Sequence, residues 1–125
     1  MAPASLATIS AKLRRAALAY PGAVEDFPWG DRVFKVAKKI FAFVDARGGA
    51  LHVTAKLPAS GPMALLLPFA QPTGYNLGKS GWVSATFARA AEVPVDMMLD
   101  WIDESYRAVA PRKLVRTLAP RSPAG

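Results

Sequence analysis

The chain has 125 residues, 52% of them hydrophobic and 20% charged, the size and balance of one folded domain rather than of a disordered or collagen-like chain. It contains no cysteine, which excludes disulfides, thiolate zinc sites and cysteine nucleophiles, and its longest apolar region, Met63–Ala70, is broken by Pro68 well short of a membrane helix. Sixteen Lys and Arg against nine Asp and Glu leave a net charge of +7, an excess that attracts polyanions or anionic membrane surfaces, or simply keeps a domain in solution.

Leu6, Ile9, Leu13, Ala16, Ala17 and Tyr20 recur at helical spacing behind a capping Ser5, and Pro21-Gly22 stops the helix. Its bases and lack of acids mimic a mitochondrial presequence, but Leu13 and Tyr20 read as core residues and no cleavage pattern follows, so the segment is a structural helix. Residues 23–31 form an irregular connector containing Pro28, Trp29 and Gly30. Three strands follow: Arg32–Ala37, Ile40–Asp45 and, after Arg47-Gly48-Gly49, Leu51–Leu57. The middle strand is apolar on both faces and belongs at the centre of a sheet. In the third, Leu51, Val53, Ala55 and Leu57 alternate with His52, Thr54 and Lys56.

Met63–Phe69 reads as a short helix, Gln71–Gly81 as a loop and Trp82–Phe87 as a fourth strand. Pro94 opens a long helix with the stripe Val95, Met98, Leu99, Ile102, Tyr106 and Val109; Pro111 ends it before a last short helix near Leu114. The expected order is α-β-β-β-α-β-α-α, a single α+β domain over residues 1–125 with its core at 6–118, a frayed tail at 120–125, and an antiparallel sheet with helices on one face. The charge is uneven along this order. The first helix, the first three strands and the C-terminal segment are basic, whereas residues 25–31 (Glu25, Asp26, Asp31) and 92–104 (Glu92, Asp96, Asp100, Asp103, Glu104) are acidic, the second block running into the long helix.

No catalytic constellation emerges. The single histidine, His52, shares its strand face with Lys56, a poor neighbour for a metal ion. Asp96, Asp100 and Asp103 line one helix face opposite the apolar stripe, where a solvated face is expected, and Arg107 can pair with Asp103. Gly78-Lys79-Ser80 imitates the end of a phosphate-binding P-loop. However, only three residues separate Gly74 from Gly78 and a strand follows, so it remains at most a weak anion site of backbone amides beside Lys79.

Several segments together resemble the MmcQ/YjbR family: residues 21–30 (PGAVEDFPWG), Val33-Phe34-Lys35-Val36, Lys39-Ile40-Phe41-Ala42, Val53-Thr54-Ala55-Lys56, Gly74-Tyr75 through Lys79 to Trp82, and Glu104-Ser105-Tyr106. The resemblance spans about residues 6 to 118. It implies a frataxin-like (CyaY-like) α+β fold with a double-wing motif, and nucleic acid as the leading partner, through family-type basic positions Lys35, Lys39, Lys56 and Lys79. Asn76, Gly78 and Gly81 stand where the family pattern has histidine, asparagine and histidine, so contacts by those side chains do not carry over. An iron site of the frataxin kind is not implied, because the first helix has three bases and no acid.

Two functions follow as expectations. One is a cytoplasmic, non-enzymatic DNA-binding protein without cofactor or membrane association. Lys35, Lys39, Lys56 and Lys79, with Arg32, Lys38 and Arg47, would contact phosphates weakly and without sequence preference, and Tyr75 would stack on a base. The alternative is a protein- or small-ligand-binding module using the Trp29 connector and the Gln71–Gly81 loop.

Overall fold

The computed structural model describes residues 5–27, 32–74 and 80–118. Helix α1 (Leu6–Leu18) starts at Ser5, whose hydroxyl accepts from the Thr8 N–H while Thr8 Oγ1 accepts from the Ser5 N–H at 3.0 Å, a reciprocal cap. The strands are β1 (Val24–Asp26), β2 (Val33–Val36), β3 (Lys39–Arg47), β4 (Ala50–Lys56), β5 (Ala70–Pro72) and β6 (Trp82–Phe87). Helix α2 (Gly61–Ala64) lies between β4 and β5. A 3-10 turn (Ala90–Glu92), α3 (Val95–Val109) and α4 (Arg112–Val115) follow β6. All strand pairs are antiparallel, in the order β1-β2-β3-β4-β6-β5.

The α+β class, the antiparallel sheet and the helices on one face agree with the sequence reading, while the element order is corrected to α-β-β-β-β-α-β-β-α-α. Two strands were missing from the expected order. β1 falls in the segment read as a connector and β5 at the start of the segment read as a loop. Both are three-residue edge strands whose partners supply the pairing, and their Glu25-Asp26 and Gln71-Pro72 content carries no strand propensity. The helix expected over 63–69 is instead a single turn at Gly61–Ala64, leaving Met63 and Leu66 exposed. Pro94 is the N-cap of α3 rather than its first helical residue.

Two tight hairpins set the register. Gly48 and Gly49, at φ +60° and +77°, join Arg47 to Ala50 in the left-handed turn that a two-residue hairpin requires. At the β2–β3 hairpin the same geometry falls on Ala37 and Lys38, at φ 50° and 69°, where a side chain costs about 1 kcal/mol per residue.

Helices α1 and α3 cover one side of the sheet. Ile9, Leu13 and Ala17 of α1 and Met98, Trp101, Ile102 and Tyr106 of α3 pack on Phe34, Phe41, Val44, Leu51, Val53 and Ala55. A bulge in β3 fixes where α3 sits. Phe34 pairs with Ala42 and Lys35 with Ile40, leaving Phe41 unmatched. The Phe41 ring meets Tyr106 edge-on at 5.2 Å and Tyr20 at 6.4 Å, and the two tyrosines stack at 4.6 Å. The buried Ser105 hydroxyl donates to the Phe41 carbonyl and accepts from the Lys56 N–H at 2.8 Å, completing the ladder where β3 and β4 part. Tyr106 Oη donates to the Pro21 carbonyl at 2.6 Å, and burial pushes its phenol above the ordinary tyrosine range. Glu104 accepts from the N–H groups of Ala59 and Ser60 and from the Ser60 hydroxyl, holding the turn after β4. The Glu104-Ser105-Tyr106 triplet is therefore a clasp between α3, the sheet and both neighbouring turns.

Candidate nucleic-acid interface

The side of the sheet away from α1 and α3 is built by the alternate residues of the same strands. Register lays them out in cross-strand rows. Asp45, His52 and Thr86 form one row; Val33, Phe43, Thr54, Ser84 and Gln71 form the next; Lys56 and Trp82 form a third. Arg47 lies one row beyond Asp45, so Arg47 and Lys56 bracket the face across three row spacings, about 20 Å. Lys35, paired with Ile40, joins the same side next to β1.

Between these rows is a hollow of about 220 Å³ lined by Arg32, Arg47, Phe43, Asp45, His52, Thr54, Gln71, Ser84 and Thr86. Its hydroxyls form a chain: Ser84 Oγ is 2.9 Å from both Thr54 Oγ1 and Thr73 Oγ1. His52 Nδ1 lies 3.5 Å from Thr86 Oγ1, and neither His52 Nε2 nor the Gln71 amide has a hydrogen-bond partner among the described residues. Phe43 is half-buried and meets Trp82 edge-on at 6.1 Å. Trp82 is buried, as a core residue would be, but outside the helix-covered cluster.

The eight candidate residues divide into three groups. Arg32, Lys35, Arg47 and Lys56 come together on the open side. Arg32 is already engaged: its Nη1 donates to Glu25 Oε2 at 2.8 Å, its Nε lies 3.8 Å from Asp45 Oδ1, and its guanidinium lies 4.8 Å from the centre of the Phe27 ring. Lys35 pairs with Asp26 at 2.8 Å and holds that exposed carboxyl below the usual aspartate range, the Phe27 N–H adding to the effect. Lys56 has no ion pair among the described residues. Lys38 and Lys39 are exposed at the β2–β3 hairpin tip, and Lys39 pairs with Val36, whose side chain belongs to the helix-covered side. Tyr75 and Lys79 lie outside the described residues, as does Trp29 of the alternative reading.

The sequence reading did not single out Phe43, Asp45, Ser84 or Thr86, and it named Thr54 only as a neighbour of His52 and Gln71 only as the start of the Gln71–Gly81 loop. The alternation of β4 already separated His52, Thr54 and Lys56 from the core, but only cross-strand register brings residues from β3, β5 and β6 beside them. The acidic stripe of α3 is less uniform than expected. Asp96 and Asp100 are exposed, whereas Asp103 accepts from Tyr20 Oη at 2.8 Å and from Arg107 Nε at 2.9 Å, tying α1 to α3. Among the described residues no three His, Asp or Glu side chains cluster as a metal site, and no helix is long and apolar enough to cross a membrane.

A search of curated proteins finds no match. The crystal structure of Deinococcus radiodurans protein DR2400, described as a DUF419 domain, superposes with a TM-score of 0.69 at 26% identity, covering 92% of this chain and 91% of that one. The family model YjbR matches residues 18–108, from the end of α1 to the end of α3. That stretch contains every strand among the described residues, the bulge at Phe41 and the clasp that locks onto it, and the chain belongs to the YjbR family.

Proposed function

We propose that this protein is a cytoplasmic, non-enzymatic DNA-binding module that holds the phosphate backbone against the open side of its sheet. One observation carries the reading: Arg32, Lys35, Arg47 and Lys56 share the side of the sheet away from α1 and α3, while the exposed acids Asp96 and Asp100 sit on the helix packed against the opposite side. The exposed Asp96 and Asp100 turn a polyanion away from α3 itself, while Glu25, Asp26 and Asp45 offset part of the basic charge on the sheet side. The sheet spans five strand gaps, about 24 Å across, wide enough to lie along several phosphates. Lys56 and Arg47 at the two ends supply phosphate contacts, with Lys38 and Lys39 at the β2–β3 hairpin tip. The pairing of Arg32 and Lys35 with acids keeps the interaction weak. Among the described residues no helix lies on that side of the sheet to read bases, so binding is tolerant of sequence.

The test is a fluorescence-anisotropy titration of a labelled duplex at 50 and 200 mM salt. Three neutralised phosphates correspond to a loss of about 40-fold in affinity over that range. Arg47→Ala with Lys56→Ala should weaken binding and flatten the salt dependence. Absence of binding at 50 mM salt, or affinity indifferent to salt, overturns the reading. One observation favours the alternative, a protein- or small-ligand-binding module: Gln71, which begins the loop invoked for it, lines the hollow. That module would bind its partner with little response to salt.

A further inference from the structure

The hollow is chemically mixed in a way that backbone binding alone does not need. Arg32 and Arg47 line it, but so does Asp45, whose carboxylate would repel a bare phosphate seated among them. Beside them Thr54, Ser84, Thr86, Gln71 and His52 offer donors and acceptors together, and Phe43 offers an aromatic surface. Two of these, the Gln71 amide and His52 Nε2, have no hydrogen-bond partner among the described residues. Arg47, Gln71 and Thr86 are exposed, so the hollow opens to solvent without rearrangement. A ligand matching this lining has a flat polar portion with donors and acceptors on its edge, joined to an anionic end.

We infer that the hollow seats one unpaired nucleotide, its base beside Phe43 with edge contacts to Gln71, His52 or Asp45, and its phosphate toward Arg47. This deepens the DNA-binding reading and rests on it. A volume of about 220 Å³ suits a single base with its sugar. A base inside an intact duplex is stacked and paired and cannot enter, so the face prefers a single strand or an open end. Because any base has an aromatic face, the preference is for strandedness rather than sequence.

The experiment uses the full chain and a labelled twelve-nucleotide single strand at 50 mM salt, with the same sequence annealed as a duplex for comparison. The single strand is expected to bind about fivefold or more tightly than the duplex, the effect of one stacked base. Phe43→Ala should reduce this preference toward unity, and so should Gln71→Ala, a change on an exposed edge strand that leaves the core intact. Adenosine 5′-monophosphate should displace the single strand at concentrations where inorganic phosphate and adenosine alone do not. Equal or tighter duplex binding, or phosphate competing as well as the mononucleotide, overturns the nucleotide seat while leaving backbone binding standing. Failure of both single strand and duplex to bind removes the DNA-binding reading itself, and the nucleotide seat with it.

Discussion

Phe41 and Phe43 stand two residues apart on β3 and belong to opposite surfaces of one sheet. Phe41 has no exposed surface and lies in a cluster with Tyr20 and Tyr106, beside a carbonyl satisfied by Ser105. Phe43 is half-buried against Trp82, beside a hollow whose polar groups are only partly paired. The helix-covered side is thus dominated by packing and internal hydrogen bonds, and the open side leaves the Gln71 amide and His52 Nε2 without partners among the described residues. The bulge makes the difference possible, because it turns Phe41 toward the helices without disturbing the alternation that places Phe43 outside. What looks chemically rich in sequence can therefore be architectural: Glu104-Ser105-Tyr106 serves the closed side entirely.

The largest expected effect comes from treating the two phenylalanines alike. Phe41→Ala should lower stability by about 3–5 kcal/mol, through lost burial and the cavity left beside two tyrosines. Phe43→Ala should lower it by about 1–2 kcal/mol, since that side chain is only half-buried. Urea denaturation of both variants checks the comparison; equal losses would mean that the open side is as much a core as the covered one.

Ser105→Ala is next, and sharpens the claim that the clasp is structural. It strands the Phe41 carbonyl and the Lys56 N–H, and should lower stability by about 2–4 kcal/mol. Oligonucleotide affinity measured on the folded fraction should stay within about twofold of the parent, because Ser105 lies on the covered side. A loss of binding with stability intact would assign the triplet to function instead.

The smallest effect tests the hairpin that carries Lys38 and Lys39. Replacing Ala37-Lys38 with Asn-Gly suits the positive φ angles at both positions and should raise stability by about 1 kcal/mol, read as a shift in the urea midpoint. No gain would mean that the turn is held by its surroundings rather than strained.

Much of this fold was legible in local pattern. The Ser5 cap, the alternation of β4, the apolar run of β3 and the long α3 stripe each state their conformation within a few residues. The edge strands β1 and β5 were not, because three residues ending in Glu-Asp or Gln-Pro pair only where a neighbouring strand already presents its edge. The same division runs through the site. Lys35, Arg47 and Lys56 could be named from charge and family resemblance, but Gln71, Ser84 and Thr86 have no local signature. They reach the hollow because β6 pairs with β4 on one side and with β5 on the other.

By itself the sequence determined that this is a basic α+β chain, with an acidic face on the long helix and bases on the first helix, the early strands and the C-terminal segment. Those properties follow from composition and from periodicities of two and 3.6 residues, which a linear chain displays directly. Only the tertiary structure decided which basic residues share a surface, which are neutralised by Glu25, Asp26 and Asp45, and where the hollow opens. These depend on register between strands distant in sequence, and a shift of one residue would exchange the two faces.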